Sequence, residues 1–171
     1  MKKLFALVLA LVMVFSLSVT AFAADTEINQ GSGEQTGSTN VTYEVSPAYT
    51  VTIPASVTLG NSVTVSASGV KVAKDSQVVV KLTGTSGESN AFTVKTEKDA
   101  VLAYTVKIDN AEVQVGGTVL TVNPDSATTN DGASGSSTLA FALADDAVVQ
   151  YAGEYSGTVT FTVSVEQVTT P

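Results

Sequence analysis

Thr158-Val159-Thr160-Phe161-Thr162-Val163-Ser164-Val165 alternates hydroxyl and apolar side chains without a break. Successive side chains of an extended chain point to opposite faces. This period of two therefore sets Val159, Phe161, Val163 and Val165 on one face of a strand, and Thr158, Thr160, Thr162 and Ser164 on the other. β-Branched Val and Thr, stiff at χ1, fit a pleated surface better than a helix. The stretch predicts a β-strand with one face in a core and one in water.

The same period recurs upstream. Inward positions are predicted at Val41, Tyr43 and Val45; at Tyr49, Val51 and Ile53, where Pro54 stops the strand; and at Val63, Val65 and Ala67. Val78, Val80 and Leu82 follow, then a turn over residues 84–90, then Phe92 and Val94. Leu102, Tyr104, Val106 and Ile108 are closed by Asp109-Asn110, and Val113, Val115 and residues 119–122 read as a hairpin about Gly116-Gly117. Leu139, Phe141 and Leu143 make the penultimate strand. No segment after residue 23 sustains a 3.6-residue period, and no internal repeat is visible. About nine short strands parted by Gly, Asn, Asp and Ser clusters predict an all-β fold. Its expected form is an antiparallel two-sheet immunoglobulin-like sandwich, with a closed β-barrel as the alternative. Residues 123–137, NPDSATTNDGASGSS, hold almost nothing to bury and read as one long loop.

The first residues divide as an export signal does. Lys2 and Lys3 give a positive start, residues 4–19 an apolar run, and Ala21-Phe22-Ala23 a small-residue cleavage site, so residues 1–23 are expected to be a cleaved signal peptide and Ala24 the mature N-terminus. Residues 24–39, with Ile28 as the one large aliphatic, cannot bury enough to offset their ordering and read as a flexible leader. Residues 40–171 are then expected to form a single domain. Without Cys there is no lipid-modified cysteine, and Thr169-Thr170-Pro171 closes the sequence with neither a second apolar span nor a basic tail. The expected location is secreted or extracellular, in association with a cell surface or free, with no membrane contact after signal cleavage.

The residue inventory closes many routes to chemistry. There is no His, Cys, Arg or Trp. Ser/His and Cys/His nucleophile pairs and ordinary zinc, copper or haem sites are thereby excluded. The formal charge is −8, and loss of Lys2 and Lys3 takes it to −10, a surface that repels nucleic acid and anionic lipid. Gly84-Thr85-Ser86-Gly87 lacks the Gly-Lys-Ser/Thr of a phosphate loop and reads as a turn. Asp145-Asp146 is the one adjacent acidic pair, and neighbours on an extended chain diverge, so paired-carboxylate catalysis is not expected. A Ser/Lys dyad is the nucleophile class left open. No catalytic residue and no cofactor-binding residue is assigned, and no cofactor is expected. The oxygen-rich inventory allows one metal, calcium, with Asp125, Asn130 and Asp131, and Asn123 beside them, as weak candidates on the long loop; turn chemistry explains the same residues. Tyr43, Tyr49, Tyr104, Tyr151 and Tyr155 could build a sugar-stacking face, although the first three fall in core register. The Thr158, Thr160, Thr162 row suits an ordinary solvent face better than an ice-binding array.

Two segments carry a resemblance: Tyr49-Thr50-Val51-Thr52-Ile53-Pro54-Ala55-Ser56-Val57-Thr58-Leu59-Gly60, and Tyr151-Ala152-Gly153-Glu154-Tyr155-Ser156-Gly157 with the alternating strand behind it. With the signal they resemble small secreted immunoglobulin-like β-sandwich proteins of Gram-positive, Firmicutes-type bacteria, and more distantly WxL surface domains. The likeness implies a surface or extracellular role. The chain has no Trp, so it lacks the Trp-x-Leu motifs and no wall-binding residue is carried over.

The expected function is a secreted or cell-surface, non-enzymatic structural and adhesive β-sandwich whose partner, a wall or extracellular protein or glycan, the sequence does not specify. Rival readings are a carbohydrate-binding module and a subunit of a surface polymer assembled by strand exchange. Residues 40–45 would be the exchanged strand, and a monomer is the favoured state in dilute solution.

Overall fold

The computed structural model describes residues 37–168; the expected signal peptide 1–23, residues 24–36 of the expected leader and residues 169–171 lie outside that range. Nine strands make the described part all-β: β1 Ala48–Thr52, β2 Ser62–Lys71, β3 Ser76–Thr85, β4 Thr93–Lys95, β5 Val101–Ile108, β6 Ala111–Glu112, β7 Thr118–Val122, β8 Ala133–Leu143 and β9 Val159–Gln167. They form two antiparallel sheets. The larger runs β1-β2-β8-β5-β4 with β6 also on β5, and the smaller runs β7-β3-β9.

Apolar alternation explains where each sheet faces. Val78, Val80 and Leu82 of β3 are fully buried, opposite Val65 of β2, Leu139 and Phe141 of β8, and Leu102, Tyr104 and Val106 of β5 in one continuous core. Burying a Val or Leu side chain is worth about 1.5–3 kcal/mol, so this cluster supplies the drive that a chain without disulfides needs. Tyr104 lies between Phe92 and Phe141, with ring centroids 5.5 and 6.2 Å away. Asp109 and Asn110 both take positive φ, 50° and 68°, and close the β5–β6 hairpin as the sequence leads one to expect. At Gly69, φ +63°, the β2–β8 register slips, and β2 continues past the expected end at Ala67 to Lys71 with Val70 turned into the core.

Several expectations are corrected. Residues 40–45 are not a strand: they pair with nothing among the described residues, and Val41 and Tyr43 are 87 % and 93 % exposed. Their alternation is real, but no neighbouring edge takes it up. Leu143 and Val165, expected inward, are exposed: Leu143 is the last residue of β8, and Val165 lies on β9 at the edge of the smaller sheet. Gly116-Gly117 does not join a hairpin. Residues 113–117 pass from one sheet to the other, with the Gly116 N–H donating to the Leu82 carbonyl and the Leu82 N–H to the Gly117 carbonyl. The long loop is shorter than expected, because residues 133–137 already belong to β8 and pair with β2. Gly135 is required there: a Cβ would stand 2.8 Å from Cγ2 of Val122, so only glycine lets β8 slide under the end of β7.

Candidate functional site

The segment that leads into β9 is pinned at three points. Ser156 and Lys95 exchange backbone hydrogen bonds of 2.9 Å each, joining this segment to the end of β4. Past it, the Ser86 N–H donates to the Thr158 carbonyl and the Thr158 N–H to Ser86 Oγ, again at 2.9 Å. Tyr155 packs against the core, and its hydroxyl reaches back to the Tyr151 carbonyl at 2.9 Å. Gly157 passes so close to β4 that a Cβ would meet the Thr93 carbonyl oxygen at 2.9 Å and Ser86 Oγ at 3.0 Å. Across from this segment, the β4–β5 turn is closed by Thr96, whose N–H donates to the Ala100 carbonyl and whose Oγ1 accepts from the Ala100 N–H.

Between the two lies a broad open hollow of about 1340 Å³. Tyr151 stands in its wall, with hydroxyls of Thr93, Thr96, Ser156 and Thr158 and charges from Lys98 and Glu154. Tyr151 is 63 % exposed, and Val148 and Val149 just before it are 71 % and 58 % exposed. One connection thus offers three large apolar side chains to solvent beside a hydroxyl-rich depression. Such a surface suits a large, hydrated partner rather than a small apolar ligand, which calls for an enclosed pocket.

The electrostatics are mild. Burial pushes the Tyr104 hydroxyl above its ordinary range, which is a core effect away from the hollow. The Lys81 ammonium, bonded to Glu166 at 2.7 Å, holds that carboxyl below its usual range, and the Ser164 hydroxyl adds to the effect. That pair ties β3 to β9 on their outer face.

Two of the calcium candidates, Asp125 and Asp131, lie in locally bonded turns. Asn123 Oδ1 accepts from the Asp125 N–H and caps a short 3-10 turn over Pro124–Ser126, while Asp131 bonds within a local turn to Thr129. Asp125, Asn130 and Asp131 are all exposed. Among the described residues no group of three or more His, Cys, Asp or Glu side chains could hold a metal ion. Asp145 and Asp146 lie in an exposed turn after β8. Of the tyrosines, Tyr104 is core, Tyr49 is half-buried, Tyr43 is exposed, and Tyr151 and Tyr155 form the bonded pair at the hollow. For the Ser/Lys class, no Ser-x-x-Lys spacing was expected after residue 23, yet Ser68 and Lys71 stand in that order; both are on β2, and Ser68 is exposed. The hollow itself was not legible beforehand, because its walls come from two stretches far apart in sequence, joined by the pairing of Lys95 with Ser156.

Among the described residues no helix is long and apolar enough to cross a membrane. Comparison with protein-family models and with curated proteins gives no match.

Proposed function

We propose that this protein is exported and acts outside the cell as a non-enzymatic structural and adhesive β-sandwich, its partner docking on the hollow between the β4–β5 turn and residues 151–158. The observation that carries the reading is the exposure of Val148, Val149 and Tyr151 on a connection whose base is pinned by hydrogen bonds. Rigid display of apolar groups keeps the entropy lost on binding small. Export is supported by the pattern of residues 1–23. The immunoglobulin-like form of the sandwich is supported by its two antiparallel sheets and by the Tyr155-to-Tyr151 bond, which has the character of a tyrosine corner. Likeness to small secreted Firmicutes-type proteins and, distantly, to WxL domains is part of the same proposal.

The test has two arms. Mass spectrometry of the protein released by a Gram-positive host should find Ala24 at the N-terminus; an intact Met1 on the released protein would defeat the export reading. Binding of the released protein to purified cell walls and extracellular matrix proteins should fall at least tenfold on Val149→Ser combined with Tyr151→Ala. Equal binding by that variant would move adhesion away from the hollow.

A carbohydrate-binding reading is favoured by one feature, the exposed Tyr151 lining the same hollow as the hydroxyl-bearing Thr93, Thr96 and Ser156. A glycan array should then show selective binding that Tyr151→Ala alone abolishes.

A further inference from the structure

The smaller sheet ends at β9, the nine-residue strand that only β3 pairs among the described residues. An edge strand presents unpaired backbone groups along its free side. On β9 this edge is also apolar and uncovered. Phe161 and Val163 are half-exposed and Val165 is 46 % exposed, whereas their partners on β3, Leu82, Val80 and Val78, are fully buried. The opposite edge differs: Val119, Leu120 and Val122 of β7 are already buried. A strand added beside β9 would cover apolar surface, and one added beside β7 would gain little.

The chain carries a segment of matching pattern and no partner. Val41, Tyr43 and Val45 alternate with polar residues and are exposed, and the backbone of residues 40–45 is unpaired among the described residues. Only Ser46 and Pro47 separate this segment from β1, which pairs with β2 at the edge of the other sheet. The span from Val45 to Ala48 reaches at most about 10 Å, and Pro47 holds Ser46 extended rather than turned back. The side chains of the segment stand open to solvent in the described part of the fold.

We propose that residues 40–45 of one molecule add as a strand to the free edge of β9 in a second copy, with Val41, Tyr43 and Val45 covering the open side of Phe161, Val163 and Val165. Main-chain pairing supplies affinity and the period of two supplies register. Each molecule has one such donor and one such acceptor, so the contact is head-to-tail and propagates into chains unless it closes into a ring. Excess negative charge on every copy opposes the contact, and added salt strengthens it by screening. This inference is independent of adhesion at the hollow.

Sedimentation and light scattering of the exported protein across a range of concentrations test it. The expected result is a mass that grows with concentration and with salt, while Tyr43→Pro stays monomeric with an unchanged melting curve, since Tyr43 is 93 % exposed among the described residues. Val165→Lys, which spoils the acceptor edge, should also stay monomeric. An equimolar mixture of the two variants should form a one-to-one dimer, because Tyr43→Pro keeps its acceptor and Val165→Lys keeps its donor. A monomer at every concentration, assembly that survives Tyr43→Pro, or a mixture that stays monomeric would each overturn the proposal.

Discussion

The Tyr155 hydroxyl donates to the Tyr151 carbonyl across 2.9 Å, so a ring packed on the core fixes the backbone of a residue that stands in the hollow. One side chain thus anchors the exposed Tyr151 to the interior.

Tyr155→Phe keeps the ring and removes the bond. Stability should fall by about 1 kcal/mol in a urea titration, the usual net worth of one hydrogen bond. Amide exchange should quicken around Tyr151 while the amides of β3 stay protected, and an unchanged exchange pattern would separate the bond from the order of that segment.

Gly157→Ala should cost about 1–3 kcal/mol, because its Cβ meets the backbone oxygen of Thr93, which cannot swing aside as a flexible side chain would. The control is Gly116→Ser: Gly116 has open space around it but φ +92°, so that variant reports backbone strain without a clash. Thermal unfolding of both variants separates the two effects.

Leu139→Ala should cost about 2–5 kcal/mol, since Leu139 is fully buried. Phe161→Ala should cost less than the about 3–5 kcal/mol typical of a core phenylalanine, because the ring on β9 is half-exposed. The difference should shrink under conditions where the protein self-assembles, because the second copy then covers Phe161.

Acid should weaken the hold of β9 on β3. Lys81 keeps the Glu166 carboxyl below its usual range, so the folded state binds a proton less readily than the unfolded chain. The contribution is complete above the ordinary glutamate range near about 4.3 and is lost as pH falls through the lower folded value. Glu166→Gln should flatten the fall in melting temperature over that window: its curve lies slightly below the parent above pH 6, where the pair is intact, and meets it in acid, where the parent has lost the pair as well. High salt should reduce the difference, as expected of a half-exposed pair.

Millimolar calcium should leave the melting temperature within error of its value in chelator, because Asn123 and Thr129 already satisfy the turns that hold Asp125 and Asp131. A rise abolished by Asp125→Ala and Asp131→Ala would reveal an ion site on that loop.

The sequence by itself determined the local conformation of most of this protein. The alternation around Val80, Leu102, Phe141 and Phe161 specifies strands and their inner faces, because a period of two is a property of the extended backbone and needs no partner to be read. Asp109-Asn110 likewise announced its hairpin, since both residues tolerate positive φ. Only the tertiary structure decided which strands find edges. Residues 40–45 carry the same alternation as β1 and remain unpaired, whereas residues 133–137, with no apolar pattern, become strand because β2 lies beside them. Val165 continues the period of Phe161 and yet faces solvent. Pairing and cover depend on groups brought together from far along the chain, as Lys95 and Ser156 are at the hollow, and their positions follow from how the two sheets stack rather than from any stretch of residues read alone.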